Sequence, residues 1–131
     1  MDELVERARA AQERSYAIYS GYRVGAALRT VDGTVFTGCN IENANYSNCL
    51  HAEEVALATA IREGHREFDR LAVSSSERDG VTPCGMCRQT LIEFCDDDLV
   101  VVCDEGSDVS TYSLGELIPN TITKETLGAF E

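Results

Sequence analysis

The chain has 131 residues, which suits one domain with its own core, so we expect a single domain over residues 1–131. Its formal net charge of −12 opposes the phosphate contacts that nucleic-acid binding needs. We therefore expect a small neutral ligand and no nucleic-acid partner. No apolar run reaches the roughly 18 residues of a membrane span, and the acidic start lacks the pattern of a secretion signal. We expect a cytoplasmic protein with no membrane partner.

Acidic residues outnumber basic ones by 23 to 11, and Lys124 is the single lysine. This balance is typical of proteins adapted to concentrated salt, where screening weakens self-repulsion. We therefore expect the melting temperature to rise between low and multimolar salt. A melting temperature that does not rise would remove this interpretation.

The N-terminal third predicts a helix followed by a β-hairpin. Apolar spacing favours a helix over residues 2–19, which Ser20-Gly21 ends. Strands are predicted over Tyr22–Leu28 and Thr34–Cys39, joined by the turn signal Asp32-Gly33. The small residues of the first strand indicate that another segment lies close to its backbone.

Residues 40–48 form an amide-rich loop with four asparagines, one glutamate and one tyrosine. Asparagine side chains bond their own backbone in turns, so turn chemistry alone is one interpretation. A ligand-binding loop is the other, and this segment by itself favours the two equally.

The rest of the chain alternates helices and strands. The predicted helices are His51–Glu63 and Pro83–Phe94, with short helical turns at Leu114–Leu117 and Lys124–Leu127. The predicted strands are Phe68–Ser75, Leu99–Cys103 and Val109–Tyr112. This alternation predicts an α/β domain with helices on both faces of a mixed sheet.

Two short motifs, His-Ala-Glu and Pro-Cys-Gly-Met-Cys, carry the candidate chemistry. His51, Cys84 and Cys87 supply one imidazole and two thiolates, the three ligands of a catalytic zinc site that leaves its fourth position to water. Thiolate ligands favour zinc over magnesium or calcium. Glu53 remains free to transfer protons. This combination of motifs is the signature of zinc-dependent deaminases.

Each half of the pattern has a simpler explanation. A Cys-x-x-Cys alone is compatible with structural zinc or a redox pair, and a lone histidine is more often a core residue. A closed zinc site needs a fourth ligand, for which Cys49 is the only nearby candidate, and it lies outside the helix predicted to begin at His51. The free carboxylate of Glu53 favours a catalytic site.

At these residues the sequence closely resembles the small cytidine deaminase family, over Tyr22–Leu28, Gly38–Ala44, His51–Glu53 and Pro83–Gln89. The resemblance implies a three-layer α/β/α sandwich around a five-stranded mixed sheet. It also implies hydrolytic deamination of cytidine and deoxycytidine to uridine and deoxyuridine in pyrimidine salvage, with one Zn²⁺ per subunit. The implied assembly is a homo-oligomer, with a tetramer favoured and a dimer as the alternative.

The resemblance also implies roles for individual residues. Asn40 and Glu42 are expected to hold the ribose hydroxyl, and Tyr22 to lie against the pyrimidine. The backbone N–H of Ala52 and the carbonyl of Thr82 are expected to orient the base.

Three positions depart from the family pattern. Short members usually carry a third cysteine where this chain has His51, and an arginine where it has Glu54. They often have an aromatic residue at the position of Ile122, for which Phe130 is the candidate replacement. Family sites borrow residues from neighbouring subunits, and Tyr46 is the candidate here.

Two other functions remain open at this stage. One is deamination of a nucleotide, a free base or a nucleoside antibiotic; a phosphate would need basic residues near the loop, where Arg23 and Arg88 are the candidates. The other is a zinc-stabilised binding protein without activity, which the free Glu53 disfavours.

Overall fold

A computed structural model describes residues 2–128 of the chain, so Phe130 lies outside the described residues. The strands are β1 Val24–Thr30, β2 Val35–Cys39, β3 Phe68–Ser75, β4 Val100–Asp104 and β5 Val109–Ser113. The helices are α1 Glu3–Gln12, α2 Ala52–Arg62, α3 Gly85–Phe94 and α4 Leu114–Leu117, with a 3₁₀ turn at Tyr46–Asn48. Among residues 2–128, no helix is long and apolar enough to cross a membrane.

The strands form one mixed sheet in the order β2-β1-β3-β4-β5. β1 is antiparallel to β2 and β3, β3 and β4 are parallel, and β5 is antiparallel to β4. The predicted hairpin turn is confirmed at Gly33, which adopts a φ of 95° and donates to Thr30 O at 3.0 Å. The predicted five-stranded mixed sheet is confirmed.

Helices cover both faces of the sheet, as predicted. On one face α1 packs against the central strands through Leu4, Val5, Ala8, Ala27, Ala72 and Val102. On the other face α2 and α3 pack against Ala26, Leu28, Leu71, Val73 and Val101. Because β1, β3 and β4 have apolar neighbours on both faces, each contains a continuous apolar run, namely Val24–Leu28, Leu71–Val73 and Val100–Cys103.

Two glycines let helices touch the sheet backbone, as the small residues indicated for β1. A Cβ on Gly25 would lie 2.0 Å from Ala8 O of α1. A Cβ on Gly38 would lie 2.3 Å from Ala52 O of α2. Any larger residue at Gly38 would therefore push away the start of α2.

The sheet also brings three chain segments to one edge. Val24 pairs with Ser75 and Gly25 pairs with Cys39, so the start of β1 lies beside the ends of β2 and β3. The segments that enter or leave these strands therefore meet there, as ligand-binding loops do in open α/β sheets.

The predicted N-terminal helix is too long. α1 ends at Gln12, because Tyr16 N donates to Asn40 O at 3.0 Å and Tyr16 O accepts from Glu42 N at 2.8 Å. This pairing pulls the chain out of the helix and leaves Ile18 64% exposed. The helical turn predicted over 124–127 is a hydrogen-bonded turn only, and α3 begins at Gly85 rather than at Pro83.

Candidate active site

His51, Cys84 and Cys87 form a compact group of metal-ligating atoms. The His51 Nδ1 lies 3.2 Å from the Sγ of Cys84 and 3.2 Å from the Sγ of Cys87. The three ligand atoms lie within 4.8 Å of one another. Zinc bonds of about 2.0–2.3 Å in a tetrahedron can span such separations.

Two helix starts hold these ligands. His51 precedes the first residue of α2, Cys84 precedes the first residue of α3, and Cys87 lies in the first turn of α3. The partial positive charge at a helix N-terminus favours thiolates. Glu54 closes the first turn of α2 by accepting a 2.6 Å hydrogen bond from His51 N.

The donor set fits zinc with one open position. Within residues 2–128, this is the one group of three or more candidate ligands that converges. Cys49 is not a fourth ligand, because its Sγ contacts the backbone of Asn43, 3.3 Å from the nitrogen. Burial raises the pKa of the Cys87 thiol, and nearby Glu53 raises it further, so a bound cation is what would hold this sulfur as a thiolate.

Glu53 is the free acid of the site. Glu53 lines the same cavity as His51, yet Glu53 is only 5% exposed. Burial raises the pKa of its carboxyl group, and the charge of Glu54 acts in the same direction. A carboxyl group that is not a metal ligand can accept and return a proton.

A cavity of about 190 Å³ opens in front of these residues. It is lined by Tyr22, Val24, Asn40, His51, Ala52, Glu53, Val81, Thr82 and Cys84. The structure thus brings together most of the site residues predicted from sequence. The apolar walls Val24 and Val81 were missed, because an aliphatic side chain that lines a cavity has the same sequence pattern as one in the core.

Asn40 ties the start of β1 to the cavity. Its Oδ1 accepts from Val24 N at 2.9 Å and its Nδ2 donates to Tyr22 O at 2.7 Å. The amide has two N–H donors, so one donor remains for a ligand.

Glu42 lies beside the cavity and not in its wall. Its carboxylate accepts from Tyr19 N at 2.9 Å, from Ser20 N at 3.1 Å and from the Ser20 hydroxyl. These hydrogen bonds, above all that from the Ser20 hydroxyl, lower the pKa of Glu42. With Tyr46 it lines a second hollow of about 290 Å³.

Sequence reasoning noticed Arg88 only as a phosphate-binding candidate, yet its guanidinium contacts the wall of the site. It donates to Pro83 O at 2.7 Å, Leu117 O at 2.6 Å and Thr82 Oγ1 at 2.9 Å. The signal available in the sequence is its position directly after Cys87.

The chain is similar in sequence to proteins of known function. The sequence profile of the family described as "Cytidine and deoxycytidylate deaminase zinc-binding region" matches residues 1–103. The chain is 38% identical to the cytidine deaminase of Sporosarcina psychrophila over 128 residues, covering 97% of this chain and 94% of that protein.

Solved structures and a second curated relative extend the comparison. The crystal structure of cytidine deaminase from Burkholderia pseudomallei superposes with a TM-score of 0.88 at 45% identity, covering 93% of this chain and all of that one. Blasticidin-S deaminase of Bacillus cereus is 33% identical, covering 93% of this chain and 91% of that protein.

Proposed function

Because the chain belongs to the cytidine and deoxycytidylate deaminase zinc-binding family, we propose that it deaminates cytidine and deoxycytidine by hydrolysis, releasing ammonia, as a step in pyrimidine salvage. One observation carries the proposal: a buried acid that is not a metal ligand, Glu53, shares a small cavity with the zinc ligands His51 and Cys84. A purely structural zinc site needs no such acid.

Zinc held by His51, Cys84 and Cys87 would supply a Lewis acid that makes water nucleophilic near neutral pH. Glu53 takes a proton from the attacking water and delivers it to the ring nitrogen next to the reacting carbon. Glu53 then carries the proton of the newly added hydroxyl group to the amino group. The C–N bond breaks, the ring carbon becomes a carbonyl, and the amino group leaves as ammonia. Such positioned proton transfer contributes roughly 10²–10⁴-fold in rate.

The walls of the cavity orient the base and the sugar in this proposal. The Ala52 N–H and the Thr82 carbonyl hold the edge of the pyrimidine, and Tyr22 lies against its face. The free N–H of Asn40 binds a sugar hydroxyl. In this proposal the ligand extends into the second hollow, where the carboxylate of Glu42 binds the sugar as well.

A nucleoside is favoured over a nucleotide as substrate. Arg23 does not line the cavity, and all three guanidinium nitrogens of Arg88 already donate to protein oxygens. The second hollow contributes the carboxylate of Glu42, which repels a phosphate. The free base is disfavoured because it would leave this second hollow unused.

A homo-oligomer is part of the proposal, with a tetramer favoured and a dimer as the alternative. Large apolar side chains are exposed in the two chain segments that line the second hollow, namely Tyr16, Ile18 and Tyr19 in one and Ile41, Tyr46 and Leu50 in the other. Such a patch on a small protein indicates a protein–protein interface. None of the six cysteines is in a disulfide bond, which supports a reducing, cytoplasmic location.

The test is an ultraviolet absorbance assay with the purified zinc-loaded protein. We expect loss of the substrate absorbance with cytidine and deoxycytidine, and little or none with cytidine monophosphate or cytosine. Blasticidin S is included as a fifth substrate because of the relative that is named for it. Turnover of blasticidin S or the monophosphate alone would contradict the proposed substrate, and no turnover of any substrate would contradict the proposed activity. Light scattering on a sizing column measures the subunit count.

A further inference from the structure

Arg88 holds three consecutive residues at the entrance of α3. Its backbone N–H donates to Cys84 O at 2.9 Å, its Nε to Pro83 O at 2.7 Å and its Nη2 to Thr82 Oγ1 at 2.9 Å. These residues lie outside any helix or strand. The Cys84 thiol in addition contacts the Nδ1 of His51 at 3.2 Å.

Among residues 2–128, Arg88 is the one residue that donates hydrogen bonds to the backbone carbonyls of Thr82–Cys84. Pro83 has no N–H to donate, so it can be fixed only through its carbonyl or by packing. Thr82 lines the cavity, and Cys84 both lines it and belongs to the ligand group. The Arg88 side chain therefore holds both the cavity-lining Thr82 and Pro83, the residue directly before the metal ligand Cys84.

The far end of the guanidinium is anchored outside the site. Its Nη1 donates to Leu117 O at 2.6 Å, at the end of α4. All its acceptors are neutral oxygens, and within residues 2–128 no carboxylate bonds to it. Only a planar group with several fixed donors can reach three such acceptors at once.

We infer that Arg88 is a positioning residue that links α4 to the Thr82–Cys84 segment and thereby sets the affinity for zinc and for substrate. Removing its side chain frees the Pro83 carbonyl and the Thr82 hydroxyl. Thr82 can then leave the base-binding wall, and the ligand Cys84 loses the anchor on the residue before it. Residues that orient metal ligands typically change metal affinity or activity by about 10–100-fold when mutated. The effect on substrate rests on the proposed function, whereas the effect on zinc does not.

The test compares zinc-loaded Arg88→Ala and Arg88→Lys with the unaltered protein. The rate of zinc transfer to a chromogenic chelator is measured under native conditions, together with KM and kcat. We expect Arg88→Ala to release zinc about 10–100-fold faster and to raise KM for cytidine. Arg88→Lys is expected to be intermediate, because an ammonium cannot satisfy the same three acceptors.

Arg66→Ala is the matched control, because Arg66 also donates to backbone carbonyls, Ile61 O at 2.9 Å and His65 O at 3.0 Å, but at the far end of α2. It is expected to release zinc at the unaltered rate. A lowered melting temperature with unchanged zinc release in Arg88→Ala would overturn the inference, as would equal release from both alanine variants. If Arg88→Ala does not fold, the zinc release and KM of Arg88→Lys decide: unaltered values overturn the inference. Because zinc release is measured without substrate, this test of Arg88 remains valid even if the protein turns over no cytidine.

Discussion

The backbone of Gly38 touches α2, so adding one methyl group there, in Gly38→Ala, tests how the sheet positions the site. A Cβ on Gly38 would lie 2.3 Å from Ala52 O and 2.6 Å from Ala56 N. Both are backbone atoms, so neither can rotate away. Restoring an ordinary contact of 3.4 Å requires α2 to withdraw by about 1 Å, because packed interiors leave no free space. Gly38→Ala is therefore expected to move His51 and Glu53 away from the cysteines on α3.

The expected loss of activity is large. Zinc–ligand distances hold to within about 0.2 Å, so a 1 Å shift weakens the metal site. Misplacing reacting groups by about 1 Å costs on the order of 100-fold in rate. We predict that Gly38→Ala lowers kcat/KM about 100-fold. Overpacking costs roughly 1–3 kcal/mol, which lowers the melting temperature by roughly 3–10 °C in a domain of this size.

Gly25→Ala separates this effect from loss of stability. Its Cβ would lie 2.0 Å from Ala8 O of α1, a clash of the same kind, but α1 carries no residue of the cavity. A similar drop in melting temperature is expected, with most of the kcat/KM retained at a temperature where both variants are folded. Equal losses of kcat/KM in both variants would refute the reasoning, and so would unaltered kcat/KM in Gly38→Ala.

Three further substitutions test separate features. Glu53→Gln should retain zinc and the melting temperature but lower kcat by about 10²–10⁴-fold; fully retained activity would contradict its role in proton transfer. Asp104 accepts from Arg9 Nε at 2.6 Å, and this hydrogen bond lowers the pKa of Asp104 below its usual 3.8. Its contribution to stability is therefore complete above that value and is lost as the pH falls through the lower folded-state pKa. In Asp104→Asn the melting temperature should accordingly fall less steeply as the pH drops below about 4. The same steepness in both proteins would be evidence against the ion pair. Glu54→Arg removes the acceptor of the His51 N–H and adds a cation beside the site, so kcat should fall and the pH–rate profile should move to lower pH; a superimposable profile would dismiss this.

Local patterns in the sequence predicted most elements closely. Strand β3 and helix α4 have the predicted bounds, Phe68–Ser75 and Leu114–Leu117. Periodicity succeeds there because the spacing of apolar residues within each element marks the face that the element buries. It failed after Gln12, where the chain keeps a helical spacing of apolar residues but Tyr16 bridges to Ile41, a partner 25 residues away. Local spacing carries no information on such a partner.

The amide-rich loop at residues 40–48 also shows a limit of prediction from local sequence. Both interpretations of residues 40–48 find support, since Asn43 and Asn45 form turn hydrogen bonds while Asn40 faces the cavity. Residue type alone did not distinguish these roles, because the same amide group serves either.

The sequence by itself determined the chemistry available to this protein: an imidazole, two thiolates and an uncommitted acid at spacings typical of a deaminase, on helices defined by periodicity. Only the tertiary structure decided that the ends of β1, β2 and β3 meet at one edge, that Glu42 lies in a neighbouring hollow and that Arg88 supports the segment before α3. The physical reason is distance along the chain. Ligand identity belongs to single residues, whereas the 3.2 Å between His51 and a cysteine 33 residues away depends on strand register and on a glycine that lets a helix approach.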